Sequence, residues 1–218
     1  GAVSIDTNGN SFLISTIISG SGPLTKIGTG TLTLSGANAY TSETIVNTDT
    51  LAITNDGNLG FGTSSLTLNA GAILQANGAA NIAAHPITLG GAANIDTNGN
   101  PFSISTVISG SGPLTKIGAG TLTLSGNNVY TAGTTISTGT LQLGSSTAIP
   151  PTGLVTVVTG ATFDLNNFDL TIGNLAGGGN VTLGTATLTI GDDTHETFGG
   201  VISGVGGSLV KQNSGSLT

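Results

Sequence analysis

The chain has 218 residues and a net charge of −7, and it contains no cysteine, methionine or tryptophan. Glycine and threonine each occur 37 times while charged residues make up 6%, a composition that favours strands and tight turns over helices. Without cysteine the chain has no disulfides or thiolate metal sites, and with only three lysines and no arginine it has no basic surface to bind nucleic acid.

Short segments in which apolar residues alternate with threonine or serine recur along the chain. This alternation predicts strands that bury one face and expose the other. In chain order the segments are Phe12–Ile18, Thr31–Ser35, Ser65–Asn69, Pro86–Gly90, Phe102–Ile108, Thr121–Ser125, Thr140–Gly144, Asn180–Gly184 and Ala186–Gly191. The pattern places eight side chains in the core: Leu32, Leu34, Leu66, Leu68, Leu122, Leu124, Leu188 and Ile190. Thr33 and Thr123 are expected on the outside.

The chain repeats itself over long stretches. Residues 5–53 and 95–143 are identical at 35 of 49 positions, at a constant offset of 90 residues. A further partial copy begins at Val201 and runs to Thr218. We therefore expect one domain, residues 1–218, made of superrepeats at about 5–94 and 95–184 and a partial third repeat at 201–218.

The repeat selects among all-β architectures. A sandwich has different environments at its centre and its edges, so two near-copies of half a sequence would not suit it, whereas each coil of a solenoid has equivalent neighbours. Coils of roughly 20 to 25 residues would give about four coils per superrepeat. The sequence thus predicts a right-handed parallel β-helix of about nine or ten coils, rising by about 4.8 Å per coil.

Several polar residues are candidates for chemistry. Lys26, Lys116 and Lys211 share one repeat position, which could form a row of ligands or, as we expect, cap turns or pair with a carboxylate. The DTNGN segments at Asp6 and Asp96 resemble part of a calcium loop, but an Asn-Gly turn explains them better because further carboxylates are missing.

Two other groups of polar residues have structural and functional interpretations. Asn38 and Asn128 follow a strand, and we expect left-handed turns there, with the amides bonded to backbone of adjacent coils. The cluster of Asp192, Asp193, His195 and Glu196 could hold a metal or paired acids, but His85 is remote in sequence and a solvated loop is favoured. We therefore predict no catalytic residues, no metal site and no cofactor.

Two functional alternatives to a scaffold remain open. A β-helical polysaccharide-active enzyme would need converging carboxylates, whereas Asp164 and Asp169 belong to different segments and only Asp192 and Asp193 are adjacent. An ice-binding solenoid would need outward threonine pairs on nearly every coil. The TLT pairs at Thr31–Thr33, Thr121–Thr123 and Thr187–Thr189 recur only once per superrepeat.

A longer motif, G-x-G-x-L-x-K-x-G-x-G-x-L-x-L-x-G-x-N-x-Y-T, occurs twice. It lies on Gly20, Gly22, Leu24, Lys26, Gly28, Gly30, Leu32, Leu34, Gly36, Asn38, Tyr40 and Thr41, and again between Gly110 and Thr131. The motif resembles the autotransporter-associated β-strand repeat of passenger domains in type V secreted bacterial proteins. The first copy departs from the pattern at Ser42 and Glu43 and at Asp49, where the second copy has Gly139, which leaves one turn geometry open.

The resemblance implies a non-catalytic, surface-exposed passenger fragment that acts as a β-helical stalk or adhesive scaffold. It further implies an extracellular or bacterial cell-surface location, a C-terminal outer-membrane barrel in the full-length protein, and ligands on host or neighbouring cells. The chain stops within its third repeat, so we also expect end-to-end association of the fragment through open strand edges.

Overall fold

The computed structural model describes all residues from Gly1 to Thr218 and consists of 27 strands and one short 3-10 helix, Asp56–Leu59. The first nine strands are β1 Val3–Asp6, β2 Phe12–Ile14, β3 Ser19–Gly20, β4 Leu24–Ile27, β5 Thr31–Leu34, β6 Ala39–Tyr40, β7 Thr44–Val46, β8 Asp49–Ile53 and β9 Leu66–Leu68. The next nine are β10 Ala72–Ala76, β11 Ala80–Ile82, β12 Ile87–Leu89, β13 Ala93–Asp96, β14 Phe102–Ile104, β15 Ile108–Gly110, β16 Leu114–Ile117, β17 Thr121–Leu124 and β18 Thr134–Ile136. The last nine are β19 Thr140–Leu143, β20 Leu154–Val157, β21 Thr162–Asp164, β22 Leu170–Ile172, β23 Asn174–Gly177, β24 Asn180–Thr182, β25 Thr187–Ile190, β26 Ile202–Ser203 and β27 Ser208–Lys211.

The strands stack in parallel on three faces of a solenoid. Face 1 contains β1, β4, β7, β9, β12 and β15, and in later coils β22, β25 and β27. Face 2 contains β2, β5, β8, β10, β13, β16, β18, β20 and β23, and face 3 contains β3 and β6, then β11, β14, β17, β19, β21, β24 and β26. The number of residues per coil varies. Leu170 pairs with Leu188 in the next coil, whereas Asp49 pairs with Ala72, and more residues separate the second pair than the first. The predicted all-β parallel β-helix is confirmed, with about ten coils.

The core is one continuous cluster of 44 buried residues along the solenoid. All eight side chains expected inside are fully buried, whereas Thr33 and Thr123 are half-buried on the outer surface. Apolar residues stack in register between coils, as Phe102 does on Leu122. Period-2 alternation therefore identified the buried side of these strands correctly.

The two sequence copies lie on different faces. Strand β4 belongs to face 1, whereas its copy β16 belongs to face 2, and likewise β5 is on face 2 and its copy β17 is on face 3. Four successive pairings lead from Leu24 to Ile108 on face 1, and Leu114, the copy of Leu24, follows on the next face. The residue offset between the copies thus spans four coils and a further third of a turn, slightly more than the four coils expected. The reason is that each of these coils contains fewer residues than a quarter of the offset. Equivalent surface residues consequently point in different directions around the rod.

Apolar residues are exposed in the first and last coils. Phe12 and Leu13 are 53% and 61% exposed, and Leu209 and Val210 are 43% and 38% exposed. Burial in this fold requires a neighbour on each side, whereas Phe12 pairs only with Leu32 and Leu209 only with Leu188. Association of copies through these coils stays a prediction, which sedimentation over a concentration series would measure.

Candidate functional site

Lys116 joins three successive coils through its buried ammonium group. Its Nζ donates to Thr97 Oγ1 (3.1 Å) in the preceding coil and to the carbonyl of Thr138 (3.0 Å) in the next. Within its own coil, Nζ donates to the carbonyls of Ile117 (2.9 Å) and Gly118 (2.7 Å). Gly118 has a φ of 78°, and a Cβ at this position would clash with the Asp96 carboxylate. We call this arrangement the lysine clamp.

The other two lysines make related contacts. Lys26 Nζ donates to Thr7 Oγ1 (3.2 Å) and to the carbonyls of Gly28 (2.8 Å) and Thr48 (3.2 Å), which again belong to three successive coils. Lys211 donates to the carbonyl of Asp192 at 2.8 Å. The prediction that the lysines cap turns is confirmed. They form no ligand row, because Lys26 and Lys116 are buried and lie on different faces.

Burial changes the acidity of both buried lysines. It lowers the pKa of Lys116 to about 8, while the nearby Asp96 carboxylate opposes the shift. It also lowers the pKa of Lys26, against the opposing charges of Asp49 and Asp6. Each shift means that the folded state holds the lysine proton less firmly than the unfolded chain does.

We expect the free energy of unfolding to rise by roughly 1 to 3 kcal/mol as the pH increases from about 8 towards 10. Between the folded pKa of about 8 for Lys116 and its ordinary value of 10.5, only the unfolded chain binds the proton, so stability increases with pH. Above about pH 10 the sign reverses, because burial raises the pKa of Tyr40 to about 12 and the folded state then keeps a proton that the unfolded chain loses. Urea unfolding between about pH 7 and 11 should therefore show a maximum, and Lys116→Met should weaken the rise. A steady fall above pH 8 would contradict this expectation.

Asn38 and Asn128 bridge coils with their side-chain amides. Asn128 Oδ1 accepts from the N–H of Ile108 at 2.7 Å, and its Nδ2 donates to the carbonyl of Ala148 at 2.7 Å. Asn38 makes the corresponding two bonds in the first copy. The expected bonding to adjacent coils is confirmed, but the expected left-handed backbone is wrong, since neither residue has a positive φ. The backbone partners of each asparagine lie in the coils before and after it, so the side chain reaches both without a left-handed turn.

Asn128→Ala should lower the free energy of unfolding by about 2 to 4 kcal/mol, because two buried backbone groups lose their partner. Its exposed neighbour is a matched control: Asn127→Ala should cost less than about 0.5 kcal/mol. Chemical denaturation of both variants checks the difference. Equal stabilities would show that water replaces the bridge.

The DTNGN segments are Asn-Gly turns, as predicted. In the second segment Asn98 and Gly99 have φ values of 47° and 76°, and the Asp96 carboxylate accepts from the N–H of Asn98 at 2.8 Å. Its other oxygen accepts from Gln75 Nε2 in the preceding coil at 2.8 Å. The first segment forms the same turn at Asp6. These aspartates therefore stabilise turns.

The turn at Asp49, whose geometry the sequence did not predict, has the same backbone conformation as the turn at Gly139 in the second copy. Asp49 and Gly139 have φ values of 57° and 68°. The Asp49 carboxylate accepts from the N–H of Gly30 at 2.8 Å and from Thr50 Oγ1 at 3.0 Å. The bond from Gly30 is the main cause that lowers the pKa of Asp49. Hydrogen bonds thus compensate for a non-glycine residue in a left-handed conformation.

The acidic cluster near the end joins the last two coils. Asp192 accepts hydrogen bonds within its own turn, and Asp193 accepts from the N–H and Oγ of Ser214 at 2.9 and 2.8 Å, which lowers the pKa of Asp193. His195 Nδ1 lies 2.8 Å from Ser216 Oγ. The structure brings no three histidine, aspartate or glutamate side chains close enough to share a metal ion.

The other candidate carboxylates and threonine pairs are dispersed around the rod. Asp164 lies on face 3, where it accepts from Gln142 Nε2 at 2.9 Å, whereas Asp169 precedes β22 on face 1. The TLT pairs lie on β5, β17 and β25, which belong to faces 2, 3 and 1. The pairs therefore form no common flat array, and the geometry favours neither paired acids nor an ice-binding plane.

One polar pair was not apparent from the sequence. His85 Nδ1 lies 2.7 Å from Asp56 Oδ1, and the N–H of Ala84 donates to Asp56 Oδ2 at 2.9 Å. His85 is 2% exposed, and its Nε2 is buried without a hydrogen-bond partner. The partners are far apart in the chain, and the sequence held no signal for the pair beyond a histidine among apolar residues.

These contacts define a repetitive β-helical scaffold, in which the polar motif residues join one coil to the next. Residues 24–56 and 114–143 match the model of the passenger-associated-transport-repeat, and these ranges contain both buried lysines and both bridging asparagines. These two ranges therefore carry the repeat of autotransporter passengers.

A relative named adhesin BmaC autotransporter, from Brucella suis biovar 1 (strain 1330), is 36% identical over 171 residues. The match covers 75% of this chain and 5% of the relative, so the chain spans a small part of the length of that protein. No solved structure matches the chain significantly. The structure has no helix with the length and hydrophobicity needed to cross a membrane.

Proposed function

We propose that this chain is part of a surface-exposed autotransporter passenger and acts as a non-catalytic stalk or adhesive scaffold. One observation carries the proposal: lysine and asparagine residues of the repeated motif are buried and bonded to neighbouring coils. The motif thus maintains a rod, and the residues on its outer faces are free to vary. The relative named as an adhesin supports an adhesive role.

The full-length protein would contain a C-terminal outer-membrane barrel, and the rod would present its outer faces to ligands on host or neighbouring cells. A stalk needs stiffness, which continuous inter-coil hydrogen bonds supply. An adhesive scaffold needs, in addition, at least one surface with unpaired polar groups.

Beads coated with the 218-residue chain test the adhesive role on cultured epithelial cells and on bacteria. We expect saturable attachment that the soluble chain inhibits, and no attachment of albumin-coated beads. A parallel assay for newly formed reducing ends on a panel of polysaccharides tests the absence of catalysis. Cleavage that is abolished by substitution of a surface aspartate would contradict the proposal.

A further inference from the structure

A groove of about 660 Å³ lies on face 1 in the later coils, beside β22 and β25. The chain between β15 and β22 forms no strand on this face, so regular pairing is interrupted there. Ile149, Leu170 and Pro151 supply the apolar part of the lining. The volume is typical of sites that bind small molecules.

The polar lining contains side chains that the fold leaves unpaired. Of the five hydroxyl groups in the groove, only those of Thr147 and Thr187 form hydrogen bonds within the chain, to Ser145 and Ser208. Thr171 and Thr189 are direct partners on adjacent strands, so the two threonine side chains lie next to each other on the outer surface. The groove therefore offers groups that can both donate and accept.

The charge of the lining restricts the ligand. Asp169 is the one charged residue in the groove, and its Oδ1 already accepts from the N–H of Thr187 at 2.7 Å. The lining contains no lysine, arginine or histidine. An anionic ligand would find a carboxylate and no counter-charge, so a neutral ligand is favoured.

The first sequence copy shows that the fold does not require a polar side chain at three of the lining positions. Residues Ala37, Gly57 and Ala79 stand at the positions that Asn127, Thr147 and Asp169 occupy in the second copy. Both copies nevertheless keep the asparagine bridge, from Asn38 to the carbonyl of Asn58 and from Asn128 to that of Ala148, each at 2.7 Å. At these three positions a small residue in one copy is thus replaced by a polar residue in the other, with the bridge unchanged.

We propose that this groove binds a neutral oligosaccharide. Sugar hydroxyls both donate and accept, as do the hydroxyls of Ser146, Thr171 and Thr189 and the amide of Asn127. The C–H faces of a sugar ring can pack on Pro151. The inference rests on the proposed adhesive function and specifies a ligand class for it.

Titration of the ¹⁵N-labelled chain with chitotriose, maltotriose and mannotriose tests the site. At least one trisaccharide should shift the amide signals of Asn127, Ser146, Thr171 and Thr189 in a saturable way. Sialyllactose, a heparin disaccharide and a lysine-rich peptide serve as charged probes. Binding of a charged probe alone, shifts confined to other faces, or no shift with any neutral probe would each overturn the proposal.

A double variant, Thr171→Val with Thr189→Val, should weaken trisaccharide binding about tenfold or more, because valine keeps the shape and strand preference but loses the hydroxyls. Thr67→Val with Thr88→Val is the matched control, since these threonines are also direct partners on face 1 but lie outside the groove. The control should bind like the unaltered chain, and equal binding by both variants would contradict the site. Beads that still attach to cells while no saccharide binds would refute this inference and leave the proposed function intact.

Discussion

Phe102→Ala is expected to lower the free energy of unfolding by about 3 to 5 kcal/mol, because it leaves a cavity in a core only one side chain thick between coils. Phe102 is 1% exposed and lies in register between Ala80 and Leu122 of the adjacent coils. Neighbouring coils are held by their strand pairing and cannot collapse into the space. Urea denaturation monitored by circular dichroism measures the loss.

The chain supplies its own control for this experiment. Phe12 stands at the same motif position in the first copy but is 53% exposed, because it pairs with Leu32 on one side only. Phe12→Ala should therefore cost less than about 1 kcal/mol. Similar losses for the two variants would mean that the phenylalanines stabilise the chain through strand propensity and not through burial.

Lys116→Met is expected to lower the free energy of unfolding by about 2 to 4 kcal/mol at pH 7. Methionine preserves most of the apolar stem, but it removes the hydrogen bonds that Nζ donates to Thr97 Oγ1 and to the carbonyls of Ile117, Gly118 and Thr138. Burial of the ammonium itself has a cost, seen in the lowered pKa of Lys116, and this offsets part of the loss.

Lys211→Met serves as the control, since Lys211 is only partly buried in the final coil, and it should cost less than about 1 kcal/mol. An unchanged or increased stability of Lys116→Met would mean that desolvation of the ammonium outweighs its hydrogen bonds. The lysine clamp would then serve to set the register of the coils and not to stabilise them.

The alternation of apolar residues with threonine determined much of the fold. In segments such as Thr121–Leu124 only one face can be buried, and the near-identity of two long stretches requires equivalent environments, which a solenoid provides. The alternation does not predict the strand Leu114–Ile117, because Lys116 occupies an inward position where the pattern requires an apolar residue. A buried ammonium is acceptable there only because adjacent coils supply its acceptors.

Tertiary structure alone decided which polar groups meet. The amide of Asn128 bonds to Ile108 and Ala148 in the coils on either side, and His85 bonds to Asp56 in another coil. Such partners depend on the length of each intervening coil, which differs from one coil to the next. The lengths of the coils also rotate one copy by a third of a turn relative to the other. Periodicity within a strand determines which side is buried, whereas the summed length of strands and turns determines which residues become neighbours.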